Sequence, residues 1–283
     1  MTTTGAGLLI THASHETRLK WHRLRRFAAD PEFGVAVMTE GFRLGASMEL
    51  DLQMRADGGF AVLHDETLER ETTGHGLAAA HTGAELSALR YRSQPCAPIL
   101  SEDLATMLTE AHPNALLQFD MKNTSEQVGA RGIDHFADLF ADRCSKIIVS
   151  GGDLPLIRAL ADRIPGLKRG YDPTDDLLDL FAKTGLTGVE RHLLIVLRDR
   201  VKPDMVYLQW EMLVTSARLG LDMIALAHAE GVAVDAWTHG IADPSKDFSP
   251  AEWVEFAELL ALKPDQITTD NPVATEAAWL KRQ

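Results

Sequence analysis

Short apolar runs alternate with longer amphipathic stretches along almost the whole of this 283-residue chain. The apolar runs have the length of buried strands, and several intervening stretches carry apolar residues at the three- and four-residue spacing of a helix. Repeated strand–helix units of this kind are typical of a parallel sheet covered by helices. The pattern predicts an α/β fold, and a (β/α)8 TIM-type barrel suits the length, since barrels of about 250 residues commonly form one domain.

The pattern predicts nine strands, one more than an eight-stranded barrel needs: 8–12, 46–52, 60–64, 116–121, 146–150, 167–171, 205–209, 232–238 and 266–269. Helices are predicted over 102–112, 127–143, 153–163, 174–184, 188–199, 218–230 and 250–262. The chain has no low-complexity linker and no clear internal repeat. We therefore expect residues 1–283 to form a single catalytic barrel domain.

The barrel is expected to be irregular near its second and third strands. Two strand-like runs are joined there by Asp57-Gly58-Gly59, with no room for a helix between them. This predicts a short hairpin-like insertion around residues 49–76. Because Asp51 and His64 lie at similar distances on either side of the turn, the two arms bring them to the same end of the pair.

The net charge of −13 argues against nucleic acid or an anionic membrane surface as a partner, because both would be repelled. A small anionic ligand would need local positive charge, supplied by a divalent cation or by clustered Arg and Lys side chains. No apolar stretch approaches the roughly 20 residues that cross a bilayer, and no basic segment precedes the N-terminal apolar run. We expect no stable membrane insertion and a cytoplasmic location; the sequence leaves the oligomeric state open.

Acidic residues mark two of the predicted strands. Glu49 and Asp51 are two residues apart, and side chains at this spacing share one face of a strand. Asp120 ends another apolar strand, and Lys122 follows on the same face. Barrel enzymes gather their chemistry at the carboxyl ends of strands, and carboxylate oxygens suit hard cations such as Mg²⁺ or Ca²⁺. Considered alone, Glu49 and Asp51 are also typical of a solvated strand face, and Asp120 and Lys122 are also typical of an ion pair.

Two histidines, His12 and His64, each end an apolar run. A histidine with an ordinary pKa of about 6.5 exchanges protons at neutral pH, so two of them can divide general-base and general-acid work. We expect His12 to be the first of the pair because it directly ends a strand. His15 and His22 remain alternatives, although His22 lies in a polar run that is typical of an exposed helix face.

The segment from Glu49 to Gly74 resembles the signature of the glycerophosphodiester phosphodiesterase family. The matching residues are Glu49-Leu50-Asp51, Asp57-Gly58, His64-Asp65, Leu68, Arg70, Thr72 and Gly74. Later segments are similar to further motifs of that family: 119–122, with Asp120 where a glutamate is usual, Ala236-Trp237-Thr238 and Thr269-Asp270-Asn271-Pro272. The resemblance spans roughly residues 8 to 272.

This resemblance implies an enzyme of lipid metabolism that hydrolyses a small-molecule glycerophosphodiester to an alcohol and glycerol phosphate. It implies that His64 is one acid/base group and that Lys122 contacts the phosphate. The metal ligands that it implies are Glu49, Asp51 and Asp120, around Mg²⁺ or Ca²⁺. Two alternatives are a lyase of the sphingomyelinase D or phosphatidylinositol phospholipase C type, and a non-catalytic barrel that binds a phosphorylated ligand.

The first family motif departs from its pattern. Family members show His-Arg-Gly after the first strand and Pro-Glu-Asn-Thr further on, whereas this chain has His12-Ala13-Ser14. A second candidate, His22-Arg23, precedes Pro31-Glu32 and fits the usual spacing to Glu49 better. Without the arginine of the motif, phosphate contact is left to the metal or to Arg18, Lys20 or Arg23, of which Arg18 is our choice.

Three further side chains have simpler interpretations beside their functional ones. Trp237 is expected to stack on the substrate, although an indole in a barrel strand is as consistent with packing. His75 and His239 fall in predicted loops, where we expect them to be solvated.

Overall fold

The computed structural model describes residues 5–199 and 202–282. Residues 1–4, which belong to the stretch used above to exclude a signal peptide, lie outside the described residues. The chain divides into two compact units. We call Met1–His22, Arg26–Ala28 and Gly170–Gln283 the terminal unit, and Arg23–Arg25 and Ala29–Arg169 the central unit. The single domain stays a prediction.

The strands are β1 (Leu9–His12), β2 (His15–Trp21), β3 (Ser47–Met54), β4 (Phe60–Val62), β5 (Leu116–Met121), β6 (Ile147–Gly151), β7 (Lys168–Tyr171), β8 (Met205–Gln209), β9 (Ala233–Trp237) and β10 (Gln266–Thr269). The helices are α1 (Val35–Leu44), α2 (Gly83–Ser87), α3 (Ser101–Thr109), α4 (Ser125–Phe140), α5 (Leu154–Arg163), α6 (Thr174–Thr184), α7 (Leu186–Leu197), α8 (Trp210–Arg218), α9 (Met223–Ala229), α10 (Pro250–Ala261) and α11 (Pro272–Leu280). Short 3-10 helices span His22–Leu24, Ala78–Ala80 and Ala141–Lys146.

In the central unit, β3 is the strand on which the site is built. It pairs in parallel with β5, which pairs in parallel with β6, and it pairs antiparallel with β4. Gly58 turns the β3–β4 hairpin with a φ of +88°, a left-handed conformation that costs glycine little. The predicted hairpin around the Asp-Gly-Gly turn is therefore confirmed. Phe119 of β5 packs edge to face against Phe136 and Phe140 of α4, and Phe60 of β4 packs edge to face against Phe136; all four are buried.

In the terminal unit, the strands β2, β10, β9 and β8 pair in parallel in that order, and β1 pairs antiparallel with β2. One face of this sheet packs its apolar side chains into a core that includes Leu19, Val234, Leu208 and Ile267. The opposite face carries a buried polar group in which Asp235 is the shared acceptor.

All nine predicted strands are present, but the tenth, β2, was wrongly predicted as a polar, exposed helix face. Leu19 and Trp21 are fully buried, and Lys20 is only 2% exposed because its ammonium pairs with Asp235. A charged side chain that is neutralised inside the protein looks like a surface residue in the sequence. β1 pairs antiparallel with β2, whereas β2 pairs in parallel with β10. The position in the parallel sheet that was predicted for residues 8–12 is therefore occupied by β2.

Most predicted helices agree with the structure to within a few residues, but helix 218–230 does not. Arg218 ends α8 and a new helix begins at Met223. The helices α1, α2, α8 and α11 were not predicted; α8 follows β8 without an intervening loop, so no turn signal separates the two. Within residues 5–199 and 202–282, no single helix has the length and apolar composition of a membrane span, although the bent pair α8 and α9 meets these criteria together.

Candidate active site

Three carboxylates of the central unit converge where β3 and β5 run side by side. The parallel register places Asp51 beside Asp120, and Glu49 lies two residues earlier on the same face of β3. One oxygen from each of the three lies within 4.8 Å of the others. Glu49 and Asp51 are only 6% and 2% exposed, so their charges lie in a poorly solvated place. The structure thus brings together the three acidic residues singled out from the sequence.

Lys122 provides counter-charge to these carboxylates. Its ammonium lies 2.7 Å from Asp51 Oδ1 and 2.5 Å from Asp120 Oδ2. Burial opposes the charged form of Lys122, but the charges of Asp120 and Asp51 outweigh it and raise the pKa of the ammonium. Burial, followed by the charge of Glu49, raises the pKa of Asp51 to about 8. Ionising all three carboxylates would therefore place more negative charge in the cluster than its surroundings neutralise.

One oxygen of this cluster has no hydrogen-bond donor. Asp51 Oδ2 is buried and accepts no hydrogen bond from the described residues, and Arg23 Nε lies 3.7 Å from it. Asp120 Oδ1, by contrast, accepts a hydrogen bond from Ser150 Oγ at 3.1 Å. A buried, unpaired carboxylate oxygen beside two further carboxylates is an arrangement that an oxygen-seeking divalent cation satisfies.

Arg23 reaches the cluster through a strained turn. Arg23 and Leu24 have φ values of +49° and +59°, in the left-handed region that favours glycine. This turn directs the Arg23 N–H to Glu49 Oε2 at 2.9 Å and its guanidinium to Glu32 at 2.8 Å. Burial opposes its charge, but the hydrogen bond to Glu32 and the neighbouring carboxylates raise the pKa of Arg23. Leu24 thus has a left-handed conformation directly after His22-Arg23, at the position where the His-Arg-Gly pattern has glycine.

His64 lies just after β4 and is held at its ring. Its Nδ1 lies 2.8 Å from Asp65 Oδ1, and Arg70 donates to both oxygens of Asp65. The hydrogen bond from Arg70 lowers the pKa of Asp65, so this carboxylate stays ionised as the partner of the ring. The His64 side chain remains 34% exposed, which leaves the ring accessible.

In the terminal unit, His22 and Asp270 directly follow the carboxyl ends of β2 and β10. His22 Nδ1 lies 2.7 Å from Asp270 Oδ1. Trp237 ends β9 opposite Gln209 of β8, and its indole N–H is buried without an acceptor in the described part of the chain. His22, Asp270 and Trp237 thus lie at the same end of this parallel sheet.

His12 and Arg18 lie toward the other end of β2. His12 is opposite His15 in the β1–β2 hairpin and packs edge-on against Trp279, with ring centroids 5.4 Å apart. Arg18 precedes His22 by four residues, about 13 Å along a strand. His12 does end a strand, as predicted, but β1 runs antiparallel to β2, so His12 does not lie at the carboxyl end of a parallel strand. The position of Arg18 likewise argues against it as a phosphate ligand. Lys20, also considered for that contact, is buried against Asp235.

The sequence analysis gave no role to two carboxylates, Asp270 and Glu71, that hydrogen-bond the candidate histidines or their backbone. Asp270 was noted within a family motif but given no role, although its place after a parallel strand was a usable signal. Glu71, whose carboxylate accepts backbone N–H groups at His64 and Asp65, carried no signal in the sequence. His239 was expected to be solvated but is only 2% exposed, whereas His75 is indeed exposed.

Comparison with solved structures shows the fold. The glycerophosphodiester phosphodiesterase of Parabacteroides distasonis superposes with a TM-score of 0.66 at 16% identity, covering 94% of this chain and 98% of that one. An Oleispira antarctica phosphodiesterase, solved in complex with the product sn-glycerol-3-phosphate, gives 0.64 at 18% identity, covering 92% and 96%. The Thermotoga maritima enzyme gives 0.63 at 16% identity, covering 96% and 100%. The predicted (β/α)8 barrel fold is confirmed.

Sequence comparison identifies the family. A glycerophosphodiester phosphodiesterase of Caldanaerobacter subterraneus is 40% identical over 60 residues, and one of Bacillus subtilis is 50% identical over 42 residues. These matches cover 21% and 15% of this chain, and only 25% and 14% of the length of those relatives. The model of the glycerophosphoryl diester phosphodiesterase family matches residues 31–274, most of the chain. The chain belongs to the glycerophosphoryl diester phosphodiesterase family.

Proposed function

We propose that this protein is a metal-dependent phosphodiesterase that hydrolyses a glycerophosphodiester to an alcohol and glycerol phosphate. The observation that supports this most is the convergence of Glu49, Asp51 and Asp120 within 4.8 Å, beside the cations Lys122 and Arg23. Such a site holds a divalent cation and leaves positive charge for an anionic substrate. A small-molecule substrate agrees with the glycerol phosphate bound to the Oleispira antarctica relative.

Glu49, Asp51 and Asp120 would hold the metal. The donor set consists of carboxylate oxygens, which suits Mg²⁺ or Ca²⁺, and the unpaired Asp51 Oδ2 lacks a partner that a cation would supply. When bound, a divalent cation offsets negative charge that develops on the phosphoryl oxygens. Lys122 would contact the same phosphate, and Arg23 would serve as the arginine of the His-Arg-Gly pattern.

His22 and His64 are the acid/base pair that we propose, so that His22 replaces the earlier choice of His12. His22 immediately precedes Arg23, whose N–H donates to Glu49, and His64 follows Leu63, whose N–H donates to the Asp51 carbonyl at 3.2 Å. His22 is thus adjacent in sequence to a residue that hydrogen-bonds Glu49, and His64 to one that hydrogen-bonds Asp51. Each ring carries a carboxylate at Nδ1, which assigns proton transfer to Nε2.

The reaction adds one water across a P–O bond. One histidine takes a proton from the attacking water as its oxygen bonds to phosphorus. The bond from phosphorus to the alcohol oxygen breaks, and the second histidine gives its proton to that departing oxygen. The products are an alcohol and glycerol phosphate, and one further proton exchange with solvent restores both rings. Trp237 is proposed to stack on the substrate beside His22.

The test is turnover of glycerophosphocholine, glycerophosphoethanolamine and glycerophosphoglycerol with Mg²⁺, Ca²⁺, Mn²⁺ or a chelator. We expect activity to require a metal and to fall about 10²- to 10⁴-fold in His64→Ala and in His22→Ala. Asp51→Asn should abolish metal binding in calorimetry. His75→Ala, in which an exposed histidine is removed, is the matched control and should retain full activity.

Three results would contradict the proposal. Full activity in the presence of a chelator would show that the reaction does not require a metal. A cyclic phosphate product without solvent oxygen would indicate a lyase. Binding of glycerol phosphate without turnover of any phosphodiester would indicate a non-catalytic barrel.

A further inference from the structure

The backbone around His64 is held by a buried carboxylate. Both oxygens of Glu71 accept the His64 N–H at 3.1 Å, and Oε2 also accepts the Asp65 N–H at 2.8 Å. The Glu71 side chain is only 4% exposed, and the nearest cation is Arg70, whose Nη2 lies 3.6 Å away. Burying a carboxylate is costly unless hydrogen bonds satisfy it, so these N–H groups are its main compensation.

His64 is also held at its other polar groups. Its carbonyl accepts a hydrogen bond from Gln53 Nε2 at 3.1 Å, and its ring Nδ1 lies 2.8 Å from Asp65. Arg70 in turn grips Asp65 through Nε and Nη2. The N–H, the carbonyl and the ring of His64 are therefore each restrained by a different neighbour.

The loop does not need Glu71 in order to close. Within residues 66–78 the chain is closed by Leu68 N–H to Gly76 O, by Thr72 N–H to Leu68 O and by Ala78 N–H to Glu66 O, each at 2.9 Å. Glu69, an exposed carboxylate of the same loop, accepts the Gly76 N–H at 2.7 Å. The hydrogen bonds of Glu71 are instead directed to the His64-Asp65 backbone.

We propose that Glu71 is a positioning residue for His64, acting with Asp65 as a clamp; this rests on the proposed acid/base role of His64. Glu71 fixes the main chain from which the ring projects, and Asp65 fixes the ring so that Nε2 faces the reacting oxygen. Proton transfer requires the donor and acceptor atoms to lie within hydrogen-bond reach, so a loosened ring reacts less often. Loss of the clamp should lower kcat rather than weaken substrate binding.

The central experiment is a double-mutant cycle between Glu71→Gln and His64→Ala in the full-length, metal-loaded protein. Gln keeps the shape of the side chain but loses its charge and one acceptor. We expect Glu71→Gln to lower kcat about tenfold, with KM unchanged within about threefold, because only the geometry of the proton transfer is disturbed. On the His64→Ala background the same substitution should change kcat by less than about twofold, since the clamp then holds no catalytic ring.

The matched control is Glu69→Gln, which neutralises a carboxylate of the same loop that does not bind the His64 segment. It should leave kcat unchanged. A second readout is the ¹⁵N spectrum of the His64 ring, which should report a protonated Nδ1 in the native protein and a mixed tautomer in Asp65→Asn. Thermal unfolding of each variant verifies that it is folded.

The outcomes distinguish a failure of the proposed role of His64 from a failure of the positioning role of Glu71. If His64→Ala keeps full activity, the proposed function of His64 fails. If His64→Ala loses activity but Glu71→Gln does not, the positioning role of Glu71 is overturned. It is also overturned if Glu71→Gln lowers kcat by the same factor in both backgrounds, because a loss that ignores His64 is a general structural effect.

Discussion

Lys20 and Asp235 form an ion pair inside the terminal unit, with 2.9 Å between Nζ and Oδ2 and with 2% and 0% of their side chains exposed. Gln266 and Thr268 donate to the same carboxylate, and the ammonium lies 4.4 Å from the centre of the Tyr207 ring. A buried charge of either sign depends on its partner, because both are removed from water. The pair therefore holds β2, β9 and β10 in one register.

Lys20→Met should destabilise the protein by about 3–5 kcal/mol, because it leaves Asp235 buried without its cation. Lys20→Met combined with Asp235→Asn should recover much of that loss, since no charge is then left unpaired. Urea denaturation at neutral pH measures both changes. Equal destabilisation of the single and double variants would show that packing, rather than charge, decides the effect.

The burial of His239 predicts that the free energy of unfolding falls in mild acid. Burial among Trp210, Phe248 and Phe256 lowers the pKa of His239 from its ordinary 6.5 to about 4, although the charge of Glu252 acts in the opposite direction. The unfolded chain therefore binds a proton between these pH values and the folded chain does not. Stability from this group is complete above pH 6.5 and falls by about 3 kcal/mol as the pH drops to 4.

The measurement is the free energy of unfolding at pH 7 and pH 4.5 for the native protein and for His239→Phe. The variant should lose this part of the pH dependence, whereas His75→Gln, which removes an exposed ring, should keep it. An unchanged pH dependence in His239→Phe would show that His239 does not titrate as its burial predicts.

Gly170 of β7 is required by a close contact with β8. A Cβ at this position would overlap the ring of Tyr207. Gly170→Ala should therefore cost about 1–3 kcal/mol through overpacking. Gly240→Ala, where the added atom meets nothing within 4 Å, should stay within about 0.5 kcal/mol of the native protein. Thermal unfolding compares the two, and equal melting temperatures would contradict the contact.

Asp270 should support catalysis through His22. We expect Asp270→Asn to lower kcat about 10- to 100-fold, because an amide no longer holds the ring with its proton on Nδ1. The chain contains a matched pair for control: His228 Nε2 lies 2.9 Å from Asp265 Oδ2, immediately before β10. Asp265→Asn should leave kcat unchanged. Similar losses in both variants would assign the effect to stability rather than to His22.

The alternation of apolar runs and amphipathic stretches was enough to predict nine strands, most of the helices and the fold class. Strand and helix periodicity is local, so it survives in the sequence without knowledge of the partners. The Asp-Gly-Gly turn between β3 and β4 and the i, i+2 spacing of Glu49 and Asp51 are local in the same sense. The hairpin and the shared face of the two carboxylates followed from them.

Which charged residues are buried was decided only by the tertiary structure. The strand β2 contains Arg18 and Lys20, and nothing within that segment shows that Lys20 meets Asp235 from a strand more than 200 residues later. Missing this strand led to the choice of His12 over His22, because the strand order determines which residue ends a parallel strand. The partner of His22, Asp270, is likewise distant in the sequence, whereas Asp65, the partner of the His64 ring, is its immediate neighbour. Local pattern determined the elements, and long-range pairing of charges decided which of their charged residues are buried.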